Sequence, residues 1–166
     1  MEEKVAFYYV EKGKYSPKEG VPYVRRENIA AIVMYKGKFL LLSWNEVDYE
    51  KSLVTGGIEP GEDRKLATQR EVIEETGYYD IEHIESINCI NVSKFFVEHK
   101  NQNREAVYYP FLVELHSLDR KEVDPNEEKE HSCIWIEEED INTIKIFENH
   151  KMMLKKTIEH IKSREV

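Results

Sequence analysis

The sequence predicts an α/β fold in which helices cover both faces of a β-sheet. Strand-like runs alternate along the chain with segments of helical spacing. One helix is predicted inside the chain and another at its end, and a half-apolar sheet needs such a layer on each face. The 166 residues contain no internal repeat, low-complexity tract or linker-like stretch. We therefore expect residues 1–166 to form one domain.

The first half of the chain contains four strand-like runs. Residues 5–10 are aromatic and β-branched and predict a strand. Residues 29–35 and 38–44 predict a β-hairpin, because Gly37 between them can adopt the positive φ of a tight turn. Residues 52–55 predict a short strand that ends at two glycines.

The remainder of the chain contains both predicted helices. Helical spacing runs from about residue 63 to residue 76, and Gly77 stops that helix. Strands are predicted at 84–90, 94–98, 106–115 and 133–136, with a polar loop at 98–105 and a charged loop at 119–130. Apolar residues between 146 and 161 follow a 3.6-residue period, which predicts an amphipathic terminal helix.

Charge and composition argue against several classes of partner. The formal net charge of -9 argues against nonspecific binding to nucleic acid polymers or anionic membranes, which need clustered Lys and Arg. Small phosphorylated substrates stay open, because a site that gathers divalent cations is itself acidic. No apolar run could span a bilayer and residues 1–5 do not resemble a signal peptide, so we expect a cytoplasmic protein. Cys89 and Cys133 are expected to be reduced packing residues.

The most informative segment is residues 55–78, with the sequence TGGIEPGEDRKLATQREVIEETGY. On a helix, Glu71, Glu74 and Glu75 are related as i, i+3 and i+4, so they share one face. Their mutual repulsion favours a bound cation, and carboxylate oxygens are ligands that Mg²⁺ and Mn²⁺ prefer. Leu66 and Ile73 are expected to point the other way, toward the core. Without its context, such a face is more often solvated surface.

Arg70 and the glycines complete this segment. The guanidinium of Arg70 has a fork suited to holding a neighbouring carboxylate, so we predict an orienting residue. Gly56, Gly57 and Gly61 permit tight turns and close backbone approach to a metal or phosphate. Gly77 fits a left-handed helix cap. This order of Gly, Glu, Arg and Gly favours a functional site over a solvated face.

Read from Gly56, the segment resembles the signature of the Nudix hydrolase family at every fixed position. The order is Gly, five residues, Glu62, seven residues, Arg70-Glu71, Val72, one residue, Glu74-Glu75, one residue, Gly77 and Tyr78. The resemblance implies an α/β/α sandwich around a mixed β-sheet. It also implies hydrolysis of a diphosphate linkage that depends on Mg²⁺, for which Mn²⁺ can substitute. Thr55 and Tyr78 depart from the commoner residues without changing this expectation.

The resemblance also implies roles for the glutamates. Glu71, Glu74 and Glu75 would be metal ligands, and Glu62 would assist the site directly or through water. The general base would be either Glu71 or a glutamate on a later loop. Among the candidates of that loop, which are Glu127, Glu128 and Glu130, we favour Glu130. An ordinary acidic loop is the alternative.

Substrate-binding residues are expected outside the signature. Aromatic rings can stack on a base and guanidinium groups can hold phosphate, and the candidates are Arg25, Arg26, Phe95, Phe96, Arg104 and Tyr108, with Arg26 and Phe95 preferred. Packing or surface roles are the alternative for each. Residues 91–96 contain neither the Pro nor the Tyr of the family subgroups that cut ADP-ribose or dinucleoside polyphosphates.

The resemblance leaves the substrate open among dNTPs, NDP-sugars, ADP-ribose, dinucleoside polyphosphates and non-nucleotide diphosphates. A small nucleotide-type molecule is the expected partner, and a homodimer is open because many relatives dimerise. Two other functions compete. One is a Nudix-fold sensor that binds a nucleotide without hydrolysis, which the intact glutamates disfavour. The other is a calcium-binding or scaffold protein, which the absence of an EF-hand-like spacing disfavours.

Overall fold

A mixed β-sheet forms the centre of the fold. The computed structural model describes residues 5–45 and 50–165, without the side chains of residues 127–129. In this part of the chain the strands are β1 (Val5–Val10), β2 (Tyr23–Tyr35), β3 (Lys38–Trp44), β4 (Val54–Gly57), β5 (Ile81–Ser86), β6 (Cys89–Val97), β7 (Gln102–Leu115) and β8 (His131–Ile136). The helices are α1 (Arg64–Thr76), α2 (Pro125–Glu130) and α3 (Glu148–Arg164).

The strand order is β1, β6, β7, β2, β3, β8, while β4 pairs with β2 and β5 pairs with β7. The pairs β1–β6 and β2–β7 are parallel. The other pairs are antiparallel. Parallel strands need long connections between them, and α1 lies in the connections from β1 to β6 and from β2 to β7. The predicted mixed sheet is therefore confirmed.

Helices cover both faces of the sheet, as predicted. Residues of β2 alternate between the two faces, because successive side chains of a strand point in opposite directions. Ala30 and Ile32 pack with Met153 and Leu154 of α3. On the opposite face, Ala31 and Val33 pack with residues that include Val72 of α1, and Ala67 of α1 packs beside Ile29. We call these the α3 face and the α1 face.

Three predictions with strong local signals are confirmed. The tight turn between β2 and β3 has positive φ at Lys36 (47°) and Gly37 (78°). Helix α1 starts after Asp63, whose side chain accepts a hydrogen bond from Leu66 N, and ends at Gly77 with φ of 80°. The apolar stripe of the terminal helix is buried at Met153, Leu154 and Ile158.

Several predicted strand boundaries are wrong because pairing partners override local composition. Strand β2 begins at Tyr23 rather than residue 29, since its polar start pairs with β7. Strand β4 covers Val54–Gly57 rather than 52–55, because both glycines pair with β2. The predicted strand 84–90 is divided into β5 and β6. Both lie along β7, and Pro110 of β7, which has no N–H to donate, lies opposite the break.

Both predicted loops contain regular structure. Residues 98–105 do not form a long loop: Glu98–Lys100 form one 3₁₀ turn and β7 begins at Gln102. The tight connection is possible because Asn101 adopts a left-handed conformation with φ of 44°. The charged segment 119–130 contains the short helix α2. Pro125 occupies its first position and the Asp124 side chain accepts a hydrogen bond from Asn126 N, as at many helix starts.

The orientation predicted for α1 is partly wrong. Leu66 is 59% exposed, so it does not point into the core. The buried residues of the helix are Ala67, Thr68, Glu71, Val72 and Thr76. Two of these residues, Ala67 and Thr68, have short side chains that let the helix lie close to the sheet. Glu71 is thereby carried onto the side that faces the sheet rather than the solvent.

Cys89 is buried and Cys133 is half-buried, and both are free thiols as expected. None of the helices in residues 5–45 and 50–165 combines the length and the apolar character that a membrane crossing requires.

Candidate active site

The candidate site lies where β4 leads into α1. Strand β4 is paired with β2, with Gly56 beside Ile29 and Gly57 beside Asn28. The connection stays attached to the sheet, since Ile58 N donates to Glu27 O over 3.1 Å. Gly61, with φ of 75°, turns the chain toward the cap of α1. The local sequence therefore fixes a short connection between a sheet strand and the helix that carries the glutamates.

Gly56 makes room for the carboxylate of Glu71. A Cβ atom at Gly56 would lie 2.0 Å from Glu71 Cδ and 2.3 Å from Oε1, far inside contact distance. Only a residue without a side chain fits here. Glu71 is 9% exposed, so its carboxylate is held between helix and strand.

Arg70 connects the acidic side chains. Its Nε and Nη2 atoms donate to the two oxygens of Glu62 over 2.8 and 2.9 Å, a two-pronged contact. Its Nη1 atom donates to Glu71 Oε1 over 2.8 Å and to Glu74 Oε2 over 3.4 Å. Nη2 also donates to Gly57 O over 3.0 Å. The structure thus brings Glu62, Glu71 and Glu74 together around one guanidinium group.

Glu62 is fixed as an anion. Hydrogen bonds from Arg70, and secondarily the backbone hydrogen bond from Glu59, lower the pKa of Glu62 to about 2. The same contacts raise the pKa of Arg70 above its usual range. A carboxylate with so low a pKa is a weak proton acceptor near neutral pH. The geometry therefore suits Glu62 to anchoring Arg70 rather than to removing a proton.

Glu74 and Glu75 differ in their surroundings. The Glu74 side chain is 55% exposed, and its Oε2 atom lies 3.4 Å from Nη1 of Arg70. Glu75 is half-buried, and its backbone oxygen lies 3.0 Å from Nε2 of His131, the first residue of β8. That contact connects the end of α1 to β8.

The acidic residues fit a divalent metal in chemistry. Within the described part of the chain, no three His, Cys, Asp or Glu side chains are gathered closely enough to form a ready cluster. Arg70 Nη1 is instead the cationic atom that both Glu71 and Glu74 contact. Two carboxylates that already share one cationic partner can approach a common cation, and their hard oxygens suit Mg²⁺ or Mn²⁺.

A cavity of about 860 Å³ lies on the α3 face. Its lining is mainly aromatic, with acidic groups among the rings, and consists of Tyr9, Glu11, Tyr15, Trp44, Asn45, Phe95, Phe96, Val97, Glu98, His99, Tyr108, Glu130, Phe147, Asn149 and His150. The candidates Phe95, Phe96, Tyr108 and Glu130 are therefore brought to one cavity. Glu130 is exposed and precedes His131, which contacts Glu75. The side chains of Glu127 and Glu128 lie outside the described residues.

The arginine candidates are arranged in two ways. Arg25 forms an ion pair with Glu105 over 3.7 Å, which supports a surface role. Arg104 is different, because its Nε and Nη2 atoms are buried without a hydrogen-bond partner among the described residues. Burial and the nearby charge of Arg26 lower the pKa of Arg104. Strand alternation places Arg104 on the same face of β7 as Tyr108. The guanidinium groups of Arg104 and of exposed Arg26, which lie near each other, suit an anion such as phosphate.

The sequence predictions missed the contribution of α3 to the cavity. Asn149 and His150 are each 8% exposed and line it together with Phe147. A signal was present in the pattern: both residues precede buried Met153 and Leu154 by one helical turn. Two polar residues therefore continue an apolar helix face.

The comparisons with known proteins agree with this architecture. A model of the NUDIX domain matches residues 24–157, which is most of the chain. The mutator MutT protein from Bacillus halodurans is 22% identical, with a TM-score of 0.61 over 78% of this chain and 80% of that one. An Ap4A hydrolase from C. elegans is 20% identical, with a TM-score of 0.59 over 83% of this chain and 98% of that one. The chain matches no curated protein sequence.

A third solved relative is the NUDIX domain of NrtR from Shewanella oneidensis, complexed with ADP ribose. It is 15% identical, with a TM-score of 0.59 over 83% of this chain and 89% of that one. At these identities the solved structures show a shared fold. Because the family model covers most of the chain as well, the chain belongs to the Nudix family of hydrolases.

Proposed function

We propose that this protein uses water to cleave the diphosphate linkage of a nucleoside diphosphate joined to another group, with Mg²⁺ or Mn²⁺ held by Glu71, Glu74 and Glu75. The observation that supports this best is the arrangement around Arg70. One nitrogen of Arg70 donates hydrogen bonds to both Glu71 and Glu74, and Gly56 leaves space for the Glu71 carboxylate. On an ordinary solvated helix face the carboxylates are exposed, and no glycine is required to make room for one of them.

The signature residues divide into ligands and supports. A bound metal would polarise the phosphoryl oxygens and make the attacking water more acidic. Glu71 is the best positioned ligand, because packing and the bond from Arg70 fix its carboxylate. Arg70 is an orienting residue and Glu62 is its anchor, consistent with the low pKa of Glu62. A second role for Glu62, through water, is compatible with that anchoring.

Glu130 is the proposed general base. Its side chain lines the cavity, and its neighbour His131 contacts the backbone of Glu75. The residue therefore stands between the proposed nucleoside cavity and the helix that carries the ligands. Glu71 is the alternative base, although a buried carboxylate bonded to Arg70 is less free to accept a proton.

The cavity and the arginine pair suit different parts of a nucleotide. Among the described residues that line the cavity there is no Lys or Arg, whereas Glu11 and Glu98, away from the proposed base, are acidic. Such walls disfavour phosphate and suit an uncharged nucleoside, with Phe95 offering a surface on which a base can stack. Phosphate would instead be held by Arg26 and Arg104, outside the cavity lining.

The named relatives support a nucleotide substrate without identifying it. One is named as an Ap4A hydrolase and another was solved with ADP ribose. Their identities to this chain are 20% and 15%, so the substrate has to be determined on this protein.

The test is a panel of diphosphates that includes dNTPs, NDP-sugars, ADP-ribose and dinucleoside polyphosphates, each with Mg²⁺, with Mn²⁺ and with EDTA. Wild type should cleave one class in a metal-dependent reaction. Glu75→Gln and Glu71→Gln should lose turnover by orders of magnitude while remaining folded. Glu139→Gln is the matched control, because Glu139 is exposed and distant in sequence from the signature.

Two results would contradict the proposal. Near-wild-type turnover in both signature variants would remove the glutamates from the chemistry. Nucleotide binding by wild type without turnover of any compound would favour a sensor, a function for which the fold is also suited.

A further inference from the structure

The C-terminal end of α1 is held by side chains from outside the helix. The last carbonyl groups of a helix have no partner within it. Here Thr76 O accepts a hydrogen bond from Arg120 Nε over 2.9 Å, and Glu75 O lies 3.0 Å from Nε2 of His131. A carbonyl oxygen can only accept, so Nε2 is the donor. The turn of α1 that carries Glu74 and Glu75 is therefore attached to β8.

His131 is buried around this one polar contact. The residue is 4% exposed, and its Nδ1 atom has no hydrogen-bond partner among the described residues. The ring of Trp44 meets it edge-on with centroids 5.0 Å apart, and Nε1 of Trp44 donates to Ser52 Oγ over 2.9 Å. A buried ring nitrogen without a partner costs free energy, so an apolar residue would fill this space better. The bond to Glu75 O accounts for a histidine at this position.

The residue before His131 is the proposed general base. Glu130 lines the cavity, and its backbone oxygen accepts a hydrogen bond from Asn45 N over 3.1 Å. This bond continues the pairing of β3 with β8, in which Trp44 lies opposite His131. The backbone of Glu130 is thus fixed by the sheet. One peptide bond joins it to His131, and one hydrogen bond joins His131 to Glu75.

The separation of Glu75 and Glu130 matters for the proposed reaction. Glu130 would remove a proton from water, and Glu75 belongs to the ligand set that would make this water more acidic. A misplacement of about 1 Å between such groups can cost on the order of 100-fold in rate. Neither residue can keep the separation alone, because Glu130 is exposed and Glu75 lies in the last turn of its helix, where helices fray.

We propose that His131 is a positioning residue that fixes the separation between the ligand Glu75 and the base Glu130 by attaching the last turn of α1 to β8. This inference rests on the proposed function and adds to it a residue outside the signature. His131 acts through the two glutamates and does not line the cavity. Its loss should therefore affect metal binding and kcat, while KM for the nucleotide should change little.

The test compares two amides of different reach. The amide nitrogen of a glutamine can occupy the position of Nε2 of His131, whereas that of an asparagine corresponds to Nδ1 and cannot reach Glu75 O. His131→Asn should weaken binding of Mn²⁺, measured by calorimetry without substrate, about tenfold or more. It should lower kcat by a similar factor, with little change in KM. His131→Gln should keep both the Mn²⁺ affinity and kcat close to wild type.

Thr157→Val is the matched control for a general loss of stability. The buried hydroxyl of Thr157 donates to Met153 O of α3 over 2.9 Å, so this variant also removes a side-chain hydrogen bond to a helix carbonyl. It should lower the unfolding temperature and leave Mn²⁺ affinity and kcat unchanged. Losses as large as those of His131→Asn would assign the effect to stability and overturn the inference. Wild-type values in His131→Asn, or equal losses in His131→Gln, would overturn it as well.

A second measurement uses the wild-type protein, so it stands even if His131→Asn does not fold. In NMR spectra of protein with ¹⁵N-labelled histidine, Nε2 of His131 should carry a proton, and its resonance should shift as Mg²⁺ binds. An unprotonated Nε2, or a resonance that stays in place while Mg²⁺ binds, would overturn the inference and leave hydrolysis intact. If wild type neither bound Mn²⁺ nor cleaved any diphosphate, the proposed function would fail, and the inference with it.

Discussion

Replacing Gly56 by alanine tests the geometry of the site most directly. The new methyl group would lie 2.0 Å from Glu71 Cδ, whereas carbon atoms in contact are about 3.5–4.0 Å apart. Glu71 would have to move by roughly 1.5 Å, and its bond to Arg70 would be lost. A misplacement of about 1 Å at a reacting centre can cost on the order of 100-fold in rate. We therefore expect kcat/KM of Gly56→Ala to fall at least about 100-fold.

The same change should lower stability only modestly. Overpacking of this kind costs about 1–3 kcal/mol. In a domain of this size that lowers the midpoint of thermal unfolding by about 2–4 °C per kcal/mol. Gly57→Ala is the matched control, because its Cβ would meet only Asn28 Oδ1, at 4.0 Å. The assay is steady-state kinetics on the preferred substrate, well below the unfolding temperature of each variant. Wild-type kcat/KM in Gly56→Ala would refute the position assigned to Glu71.

Three further predictions concern stability. Gly77→Ala places a Cβ 2.4 Å from Lys121 O at a residue with φ of 80°. Its unfolding temperature should fall further than that of Gly20→Ala, because Gly20 has a similar φ of 78° but open space around it. Equal shifts in unfolding temperature would contradict the close approach to Lys121. In Arg70→Ala the pKa of Glu62 should return from about 2 toward 4.5. The variant should therefore have a lower free energy of unfolding than wild type, with the full difference above pH 4.5 and a smaller difference as the pH falls toward 2. A difference in urea unfolding that does not change with pH would argue against the ion pair. Because the pKa of His150 falls from 6.5 to about 4 on folding, the folded state should lose on the order of 3 kcal/mol as the pH falls through this range, and His150→Gln should flatten that dependence.

Local signals account for the parts of the fold that were predictable. The ends of α1 depend on Asp63 and Gly77, which act within one helical turn. The tight turn at Gly37 and the apolar stripe of α3 are equally local. The polar segment at the start of β7 gave no such signal. It is a strand because β6 and β2 pair with it from either side, and such pairing depends on residues far away in the sequence.

The candidate site divides in the same way. The order of Gly, Glu and Arg in the signature identified the residues around Arg70. It could not reveal that Glu71 faces the sheet, because that depends on how closely α1 packs beside β4. Local sequence patterns could not predict the cavity, because residues from β1, β3, β6, β7 and α3 line it together. The sequence predicts individual site roles for four of its lining residues, Phe95, Phe96, Tyr108 and Glu130.

The contacts of Arg70 have a consequence for how the protein responds to its surroundings. Because this guanidinium already neutralises part of the repulsion among Glu62, Glu71 and Glu74, the fold carries its own counterion. A divalent ion held by Glu71 and Glu74, as proposed, would have to share them with Arg70, and such competition would weaken the apparent affinity for the ion. Under the proposed function, a metal held at these glutamates would therefore exchange with the pool of free cations. The rate of turnover would then follow the concentration of that pool.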